Sequence, residues 1–134
     1  PARAYRAAAP PAMVVALPAV YGRVLPRFYV TVMFEPVPDD NLFIGGEPHP
    51  NFVRITVDHI AREFPSDKAM SGFMKHMNRV LKPWIEDRGF HWEMHVDETP
   101  FSLWTVQGHF PPREGTEDER RWIAENRPSA RTHD

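Results

Sequence analysis

The chain has no cysteine, no long apolar run and no excess of basic residues. Without cysteine, disulfide bonds, thiolate metal sites and cysteine nucleophiles are excluded, and a reducing cytoplasm is the expected location. No apolar run approaches the roughly 20 residues that span a bilayer, so no membrane partner is expected. The formal net charge of −2 does not predict a nucleic-acid partner.

What is present is an ordinary globular composition, with 42% hydrophobic and 25% charged residues in a chain of 134. This length suits one domain that buries about two-thirds of its unfolded surface. We treat residues 1–63 as a first half that ends in a hairpin, residues 64–100 as a second half, and residues 101–134 as a C-terminal extension of the same domain. The 15 prolines fall mainly in connectors and near the two ends.

Three alternating stretches predict half-buried β-strands. Side chains alternate with period 2 in residues 28–35, 53–58 and 90–97, the pattern of strands with one buried face. The first two stretches are joined by a turn-rich connector, in which Gly45 and Gly46 can adopt backbone angles that other residues avoid. A weaker strand is predicted at residues 2–9.

Helical spacing is clearest in residues 67–84, with Ser66 as the predicted N-cap and Gly89 as the stop. Its apolar positions recur at steps of three and four, which places on one helix face Met70, Phe73, Met74, Met77, Val80, Leu81 and Trp84. Residues 11–25 predict a helix distorted by Pro18. Residues 116–126 predict a short terminal helix.

The predicted order is strand, helix, strand, strand, helix, strand, followed by the extension. This order predicts an α+β fold made of two βαβ units in one chain, with two helices on one face of a mixed sheet.

Several stretches in residues 21–128 carry a resemblance to a known family, whereas residues 2–20 match poorly. They include Phe28-Tyr29-Val30, Asn41-Leu42-Phe43-Ile44-Gly45-Gly46-Glu47-Pro48, Asn51-Phe52-Val53-Arg54-Ile55, His59-Ile60-Ala61-Arg62, His95-Val96-Asp97-Glu98-Thr99-Pro100 and Glu125-Asn126-Arg127-Pro128. On these residues the chain resembles the tautomerase superfamily, and within it the oxalocrotonate tautomerase-like group that is similar to cis-3-chloroacrylic acid dehalogenase.

The resemblance implies a MIF-like β-α-β fold, a homotrimer, and catalysis by the secondary amine of an N-terminal proline, here Pro1. A terminal amine titrates at about pH 8 in water. Desolvation or nearby positive charge lowers its pKa toward neutrality. The neutral amine could take a proton from carbon or oxygen next to a carbonyl and return it elsewhere. Taken alone, an initial proline could simply mark where the sequence starts.

Three further residues match catalytic positions of the family. Arg62 falls where an arginine holds a substrate carboxylate, and its fork can bind both carboxylate oxygens while its charge favours a neutral Pro1. Tyr21 falls where the dehalogenase has a histidine that contacts substrate, and His95 falls where it has a tyrosine. Without the resemblance, Arg62 could be a solvated strand-end residue, Tyr21 a core residue of a helix, and His95 a structural histidine. His59 could be a hydrogen-bonding residue between subunits.

The sequence also departs from the dehalogenase at two places. The region of its second arginine reads Phe64-Pro65-Ser66, and the region of its water-activating glutamate reads Trp104-Thr105-Val106-Gln107. Gln107 can orient a water molecule but cannot act as its base at neutral pH. Gln107 and Asn41 are secondary candidates for substrate binding, although asparagine is also a common turn residue.

No metal and no cofactor are expected. His91 and His95 are four residues apart, which on a strand separates them by roughly 13 Å, too far to chelate one ion.

Three functions remain open from the sequence. The first is a tautomerase that moves a proton on a small 2-oxo or 2-hydroxy carboxylate. The second is hydration of cis-3-haloacrylates by the same residues, with halide release. The third is a non-catalytic trimeric binding protein on the same scaffold, because the superfamily also contains cytokine-like members.

Overall fold

The computed structural model describes residues 11–22 and 24–132. Its helices and strands are α1 (Pro11–Ala19), β1 (Phe43–Ile44), β2 (Glu47–Pro48), β3 (Phe52–His59), α2 (Asp67–Leu81), β4 (His91–Glu98) and α3 (Glu117–Glu125). Short 3-10 turns occupy Arg27–Tyr29, Lys82–Trp84, Glu86–Arg88 and Phe101–Leu103. The strand predicted at residues 2–9 lies outside the described residues. Among the described residues, no helix is long and apolar enough to cross a membrane.

The elements β3, α2 and β4 form a βαβ unit, as the order of strands and helices predicted. β3 and β4 pair in parallel, in a register that runs from Phe52 opposite His91 to His59 opposite Glu98. Between them, α2 begins at the predicted N-cap, because the Ser66 hydroxyl accepts a hydrogen bond from the Ala69 amide at 3.2 Å. The turn that leads to β4 ends at Gly89, whose φ of 86° is accessible at little cost only to glycine.

The core lies on one face of the β3–β4 sheet, and both α1 and α2 pack there. Its fully buried members come from α1 and from α2 with the turn after it: Met13, Met77, Leu81 and Ile85. Around them pack Leu17, Val20, Val53, Ile55, Val57, Phe73, Trp92 and Met94, with further partly buried residues. Two helices on one face of the sheet are thus confirmed. The methionines on the apolar face of the helix predicted at residues 67–84 would be expected in the core, but Met70 is 41% exposed near the N-terminal end of α2.

The strand predicted at residues 28–35 does not form in the described part of the chain. Arg27–Tyr29 is a 3-10 turn, and residues 30–38 belong to no helix or ladder. The predicted alternation of burial is nevertheless present, since Val30, Val32 and Phe34 are half-buried while the residues between them are exposed. Period-2 burial reflects an extended backbone on a core, whereas a strand also requires a hydrogen-bonded neighbour.

The connector contains the short hairpin β1–β2, in which Phe43 pairs with Pro48 and Ile44 with Glu47. Its tight turn is Gly45-Gly46, with φ of 59° and 89°. Two positive φ angles in succession are typical of the turn type that suits a two-residue hairpin, and the predicted role of these glycines is confirmed.

The terminal helix α3 is capped by Thr116, whose hydroxyl accepts a hydrogen bond from the Glu119 backbone amide at 3.2 Å. Trp122 on its inner face is fully buried and donates its indole N–H to the Ser129 carbonyl oxygen at 3.1 Å. Asn126, with φ of 50°, ends the helix, and its side-chain oxygen accepts from the Phe28 amide at 3.1 Å. The C-terminal extension is therefore packed against the first half of the chain.

Candidate active site

Tyr21 and His59 bring together the end of α1 and the end of β3. The Tyr21 hydroxyl oxygen lies 3.4 Å from Nδ1 of His59, and the two rings stack with centroids 6.0 Å apart. Burial raises the pKa of the Tyr21 hydroxyl, so it stays protonated near neutrality and can donate a hydrogen bond.

His59 is one of the most buried polar residues of the described chain, at 6% exposure. Its ring stacks on Phe64 with centroids 4.3 Å apart, and Nε2 makes no hydrogen bond of ordinary geometry within the described residues. Burial lowers the pKa of the imidazole, while the charge of Glu98 and the nearby backbone of Arg62 act in the opposite direction. Imidazole is therefore neutral in the folded protein at neutral pH.

This lowered pKa predicts a pH dependence of stability. Below the unfolded pKa of about 6.5, protons bind more readily to His59 in the unfolded chain than in the folded protein. We therefore expect the free energy of unfolding to fall as pH is lowered from about 6.5 through the folded pKa. Urea denaturation at several pH values from about 7.5 to about 5 measures this change in the free energy of unfolding. In His59→Gln the part of the slope due to His59 should disappear, and identical slopes in the two proteins would contradict the expectation.

Arg62 lies three residues beyond β3, with a side chain only 19% exposed. Nη1 donates to the Ala61 carbonyl oxygen at 2.9 Å, and Nη2 donates to the Val24 carbonyl oxygen at 3.0 Å. Nη2 also donates to Oε1 of Glu119 at 2.5 Å, and Nε lies 3.4 Å from Oε1 of Glu114. The guanidinium thus connects the segment after α1, the end of β3 and the start of α3.

Glu119 is the buried partner of Arg62, with a side chain 6% exposed. Its second oxygen, Oε2, accepts from the Gly115 amide at 2.8 Å. Together with the bond from its own amide to Thr116, this arrangement resembles a capping box, in which a residue of the first turn satisfies free amides at the helix start. One carboxylate therefore serves both the start of α3 and the neutralisation of Arg62.

Tyr29 stands next to this ion pair. Its hydroxyl oxygen is buried and has no hydrogen-bond partner among the described residues. Burial raises the pKa of Tyr29 to about 12; the charge of Glu119 adds to the increase and that of Arg62 opposes it. The ring is held edge-on against Trp104, with centroids 4.7 Å apart. The phenol is therefore a neutral, buried hydrogen-bond donor near the Arg62–Glu119 pair.

The structure does not place His95 with these residues in one chain. His95 is the register partner of Thr56, and residues at adjacent odd and even positions of a strand face opposite sides. Met94 and Val57 face the helices, so His95 lies on the other face of the sheet. There its Nε2 is 3.4 Å from Oδ2 of Asp97, and its side chain is 44% exposed.

The remaining candidates are also separate from Arg62. Gln107 has φ of 51° and occupies, with Gly108, an exposed turn closed by two backbone hydrogen bonds between Val106 and His109, of 2.9 and 3.0 Å. Asn41 is exposed, and its backbone N–H closes a turn by donating a hydrogen bond to the Pro38 carbonyl oxygen at 2.9 Å. Pro1 lies outside the described residues. The roles predicted for these residues remain predictions.

Sequence reasoning missed Glu119, Glu114 and Tyr29. The spacing Thr116-x-x-Glu119 is a signal for a helix start, but nothing in it indicates that the glutamate also meets an arginine 57 residues earlier. Tyr29 was placed in a predicted strand, where its hydroxyl had no assigned role.

The cluster of Tyr21, His59, Arg62, Glu119 and Tyr29 combines a buried arginine–glutamate ion pair with neutral hydrogen-bonding groups. Such a site can bind a small carboxylate and orient a neighbouring carbonyl or hydroxyl. Among the described residues, no group of three potential metal-ligating side chains occurs. A surface groove of about 440 Å³ lies elsewhere, lined by Glu117, Arg120, Arg121 and Thr132. Its lining is three charged side chains and one threonine at the open surface, so the cluster around Arg62 is the better candidate site.

Comparison with known proteins identifies relatives over most of the chain. The model of a family described as "Putative oxalocrotonate tautomerase enzyme" matches residues 8–127. The crystal structure of native RhCC from Rhodococcus jostii RHA1 is similar at 38% identity and a TM-score of 0.84, covering 89% of this chain and 86% of that one. No curated protein gives a significant match.

A second solved structure, a probable enzyme from the thermophilic fungus Aspergillus fumigatus, is similar at 43% identity and a TM-score of 0.81. It covers 87% of this chain and 82% of that one. These similarities confirm the β-α-β tautomerase fold. The chain belongs to the oxalocrotonate tautomerase-like family of the tautomerase superfamily.

Proposed function

We propose that the protein is a tautomerase that moves a proton on a small 2-oxo or 2-hydroxy (enol) carboxylate. The observation that carries this proposal is the largely buried guanidinium of Arg62, at the end of β3, within a chain of this family. A largely buried guanidinium, with the protonated hydroxyl of Tyr29 near it, suits the binding of a small anion better than that of a neutral ligand.

Pro1 supplies the general base in this mechanism, and that role rests on the sequence resemblance. The neutral secondary amine takes the proton from the enol hydroxyl, the carbonyl forms, and the carbon–carbon double bond accepts a proton at carbon from the protonated amine. The amine ends neutral, and the product has a carbon–hydrogen bond in place of the oxygen–hydrogen bond. The charge of Arg62 would favour the neutral amine between turnovers.

Tyr21 polarises the substrate carbonyl in this proposal, because its hydroxyl is protonated near neutrality and sits on the segment that Arg62 binds. His95 faces the other side of the sheet from the core. For His95 to act in the same reaction, the site must be completed by a second copy, as a homotrimer would allow. We therefore propose a homotrimer and assign His95 to the site of a neighbouring subunit.

The test of this function is the pKa of Pro1, measured from the pH dependence of its alkylation by a 3-halopropiolate, with the modified residue located by mass spectrometry. Selective labelling with a pKa well below that of a free proline amine is the expected result. It should be followed by assays of enol carboxylates, monitored through loss of the enol absorbance. Absence of labelling at Pro1, or the pKa of an ordinary exposed amine, would overturn the proposal in favour of a non-catalytic binding protein.

cis-3-Haloacrylates should be poor substrates. Hydration requires a base for water, and Gln107, at the matching region, is an amide in an exposed turn. The second arginine of the dehalogenase is also replaced, by the Phe64-Pro65-Ser66 stretch. Chloride release from cis-3-chloroacrylate should therefore be slower than enol turnover by at least about 100-fold, the usual contribution of a positioned base. Chloride release as fast as enol turnover would instead favour the hydratase function.

A further inference from the structure

Two glutamates face Arg62, and they are held very differently. The Glu119 side chain is 6% exposed, and both of its oxygens accept hydrogen bonds, from Arg62 and from the Gly115 amide. The Glu114 side chain is 73% exposed, and within the described residues its one ionic contact is with Arg62 Nε at 3.4 Å. Glu119 is therefore a buried part of the fold, whereas Glu114 is a surface side chain that contacts Arg62.

The donors of Arg62 are almost fully used in this arrangement. A guanidinium has five N–H groups. Nη2 donates to Val24 and Glu119, one N–H of Nη1 donates to Ala61, and Nε lies 3.4 Å from Oε1 of Glu114. Nε and Nη2 form the edge that ordinarily binds a carboxylate through two parallel hydrogen bonds. On that edge Nη2 is occupied by a buried partner, so Nε is the position open to a ligand.

We propose that Glu114 is a displaceable occupant of the carboxylate-binding position on Arg62, and that a substrate carboxylate binds by exchanging with it. Glu119 stays in place during the exchange and keeps the guanidinium oriented. The inference rests on the proposed function, since it takes Arg62 to be the carboxylate anchor. The inference adds Glu114 to that function, as the side chain that a ligand must displace from Arg62 in order to bind.

The energies of the two contacts make this exchange feasible. An exposed ion pair is weak, because water and salt screen it and two flexible side chains must be ordered to form it. Breaking the contact with Glu114 therefore costs little when another carboxylate replaces it. Breaking the contact with Glu119 would leave a buried charge unpaired, which is far more costly. A neutral analogue of the substrate cannot replace the lost charge interaction, so the exchange selects for carboxylates.

The test is a titration of the full chain with pyruvate, a small 2-oxo carboxylate, followed by NMR through the Nε–H signal of Arg62. The signal should shift on binding, and Glu114→Gln should lower the dissociation constant about two- to fivefold, the range that one exposed ion pair supports. Glu117→Gln is the matched control. Glu117 is exposed on the first turn of α3 and, in the described structure, forms neither an ion pair nor a hydrogen bond with Arg62. Its substitution changes the net charge by the same amount.

The outcomes separate this inference from the proposed function. Tighter binding in Glu114→Gln alone supports the exchange. A shift of the Arg62 signal with the same dissociation constant in the wild type and Glu114→Gln overturns the exchange, and so does an equal gain in Glu117→Gln. In those cases Arg62 remains the anchor. If pyruvate leaves the Arg62 signal unmoved in all three proteins, both the exchange and the carboxylate-anchoring role of Arg62 are overturned.

Discussion

Replacing Pro1 with alanine should lower kcat/KM for an enol carboxylate by about 100- to 10,000-fold, the usual contribution of a general acid–base group. Alanine retains a terminal amine, but a primary and more flexible one, which is less well placed to take and return a proton. The loss should appear in kcat more than in KM, because the carboxylate contact proposed for Arg62 is retained. Steady-state assays at several pH values measure it.

The matched control is Pro36→Ala, which makes the same chemical change at an exposed position of the connector. Its kinetic constants should equal those of the wild type. Circular dichroism and thermal unfolding should show that Pro1→Ala remains folded. Turnover of Pro1→Ala near that of the wild type would mean that the terminal amine is not the base, and the proposed mechanism would have to be abandoned.

Replacing Glu119 with glutamine should lower the free energy of unfolding by about 3 kcal/mol, near the lower end for breaking a buried ion pair. The lower end is appropriate because the Arg62 side chain retains 19% exposure, so water still reaches part of the guanidinium. The amide keeps the shape of the side chain but removes the charge next to a buried cation. Urea denaturation at pH 7 measures the change.

Glu117→Gln, two residues away and exposed, should change stability by less than about 0.5 kcal/mol, as surface substitutions usually do. A second comparison tests whether an unpaired charge is the cause. Adding Arg62→Met to Glu119→Gln removes that charge, and the double variant should be more stable than Glu119→Gln alone. If Glu119→Gln is as stable as Glu117→Gln, the contact with Arg62 has no structural importance.

The sequence was most informative where local pattern and long-range structure agree. Ser66, the helical spacing after it and Gly89 predicted α2 and its turn, because capping and φ preferences depend on neighbouring residues only. The alternation in β3 and β4 predicted two strands, and the helix between them implied that they are parallel.

Residues 28–35 show a case in which the sequence pattern predicts burial but not strand pairing. Their alternation correctly predicted which side chains are half-buried, but the pattern does not contain the identity of a pairing partner. Without a ladder among the described residues, Val30, Val32 and Phe34 are an extended segment rather than a strand. Burial has a local signature in the sequence, and hydrogen-bond pairing between distant segments has none.

The candidate site followed the same division. Arg62 and Tyr21 came from the family resemblance, and the structure places both at the end of β3. The partner of Arg62 could not be found in this way, because Glu119 is 57 residues away and reads in sequence as an ordinary helix-capping acid. The structure adds that His95 lies on the face of the sheet opposite the helices, which a resemblance could not give because it names positions without saying which face they occupy.

Glu119 binds both Arg62 and the start of α3, and this also bears on how the protein can change during evolution. Residues 101–134 could be regarded as an optional appendage of a two-unit fold, yet they contribute the counter-charge of the cationic centre. A related protein without this segment would lack Glu119, and Arg62 would need another acidic residue to balance its charge. We therefore expect changes at Arg62 among related proteins to be accompanied by changes in this segment.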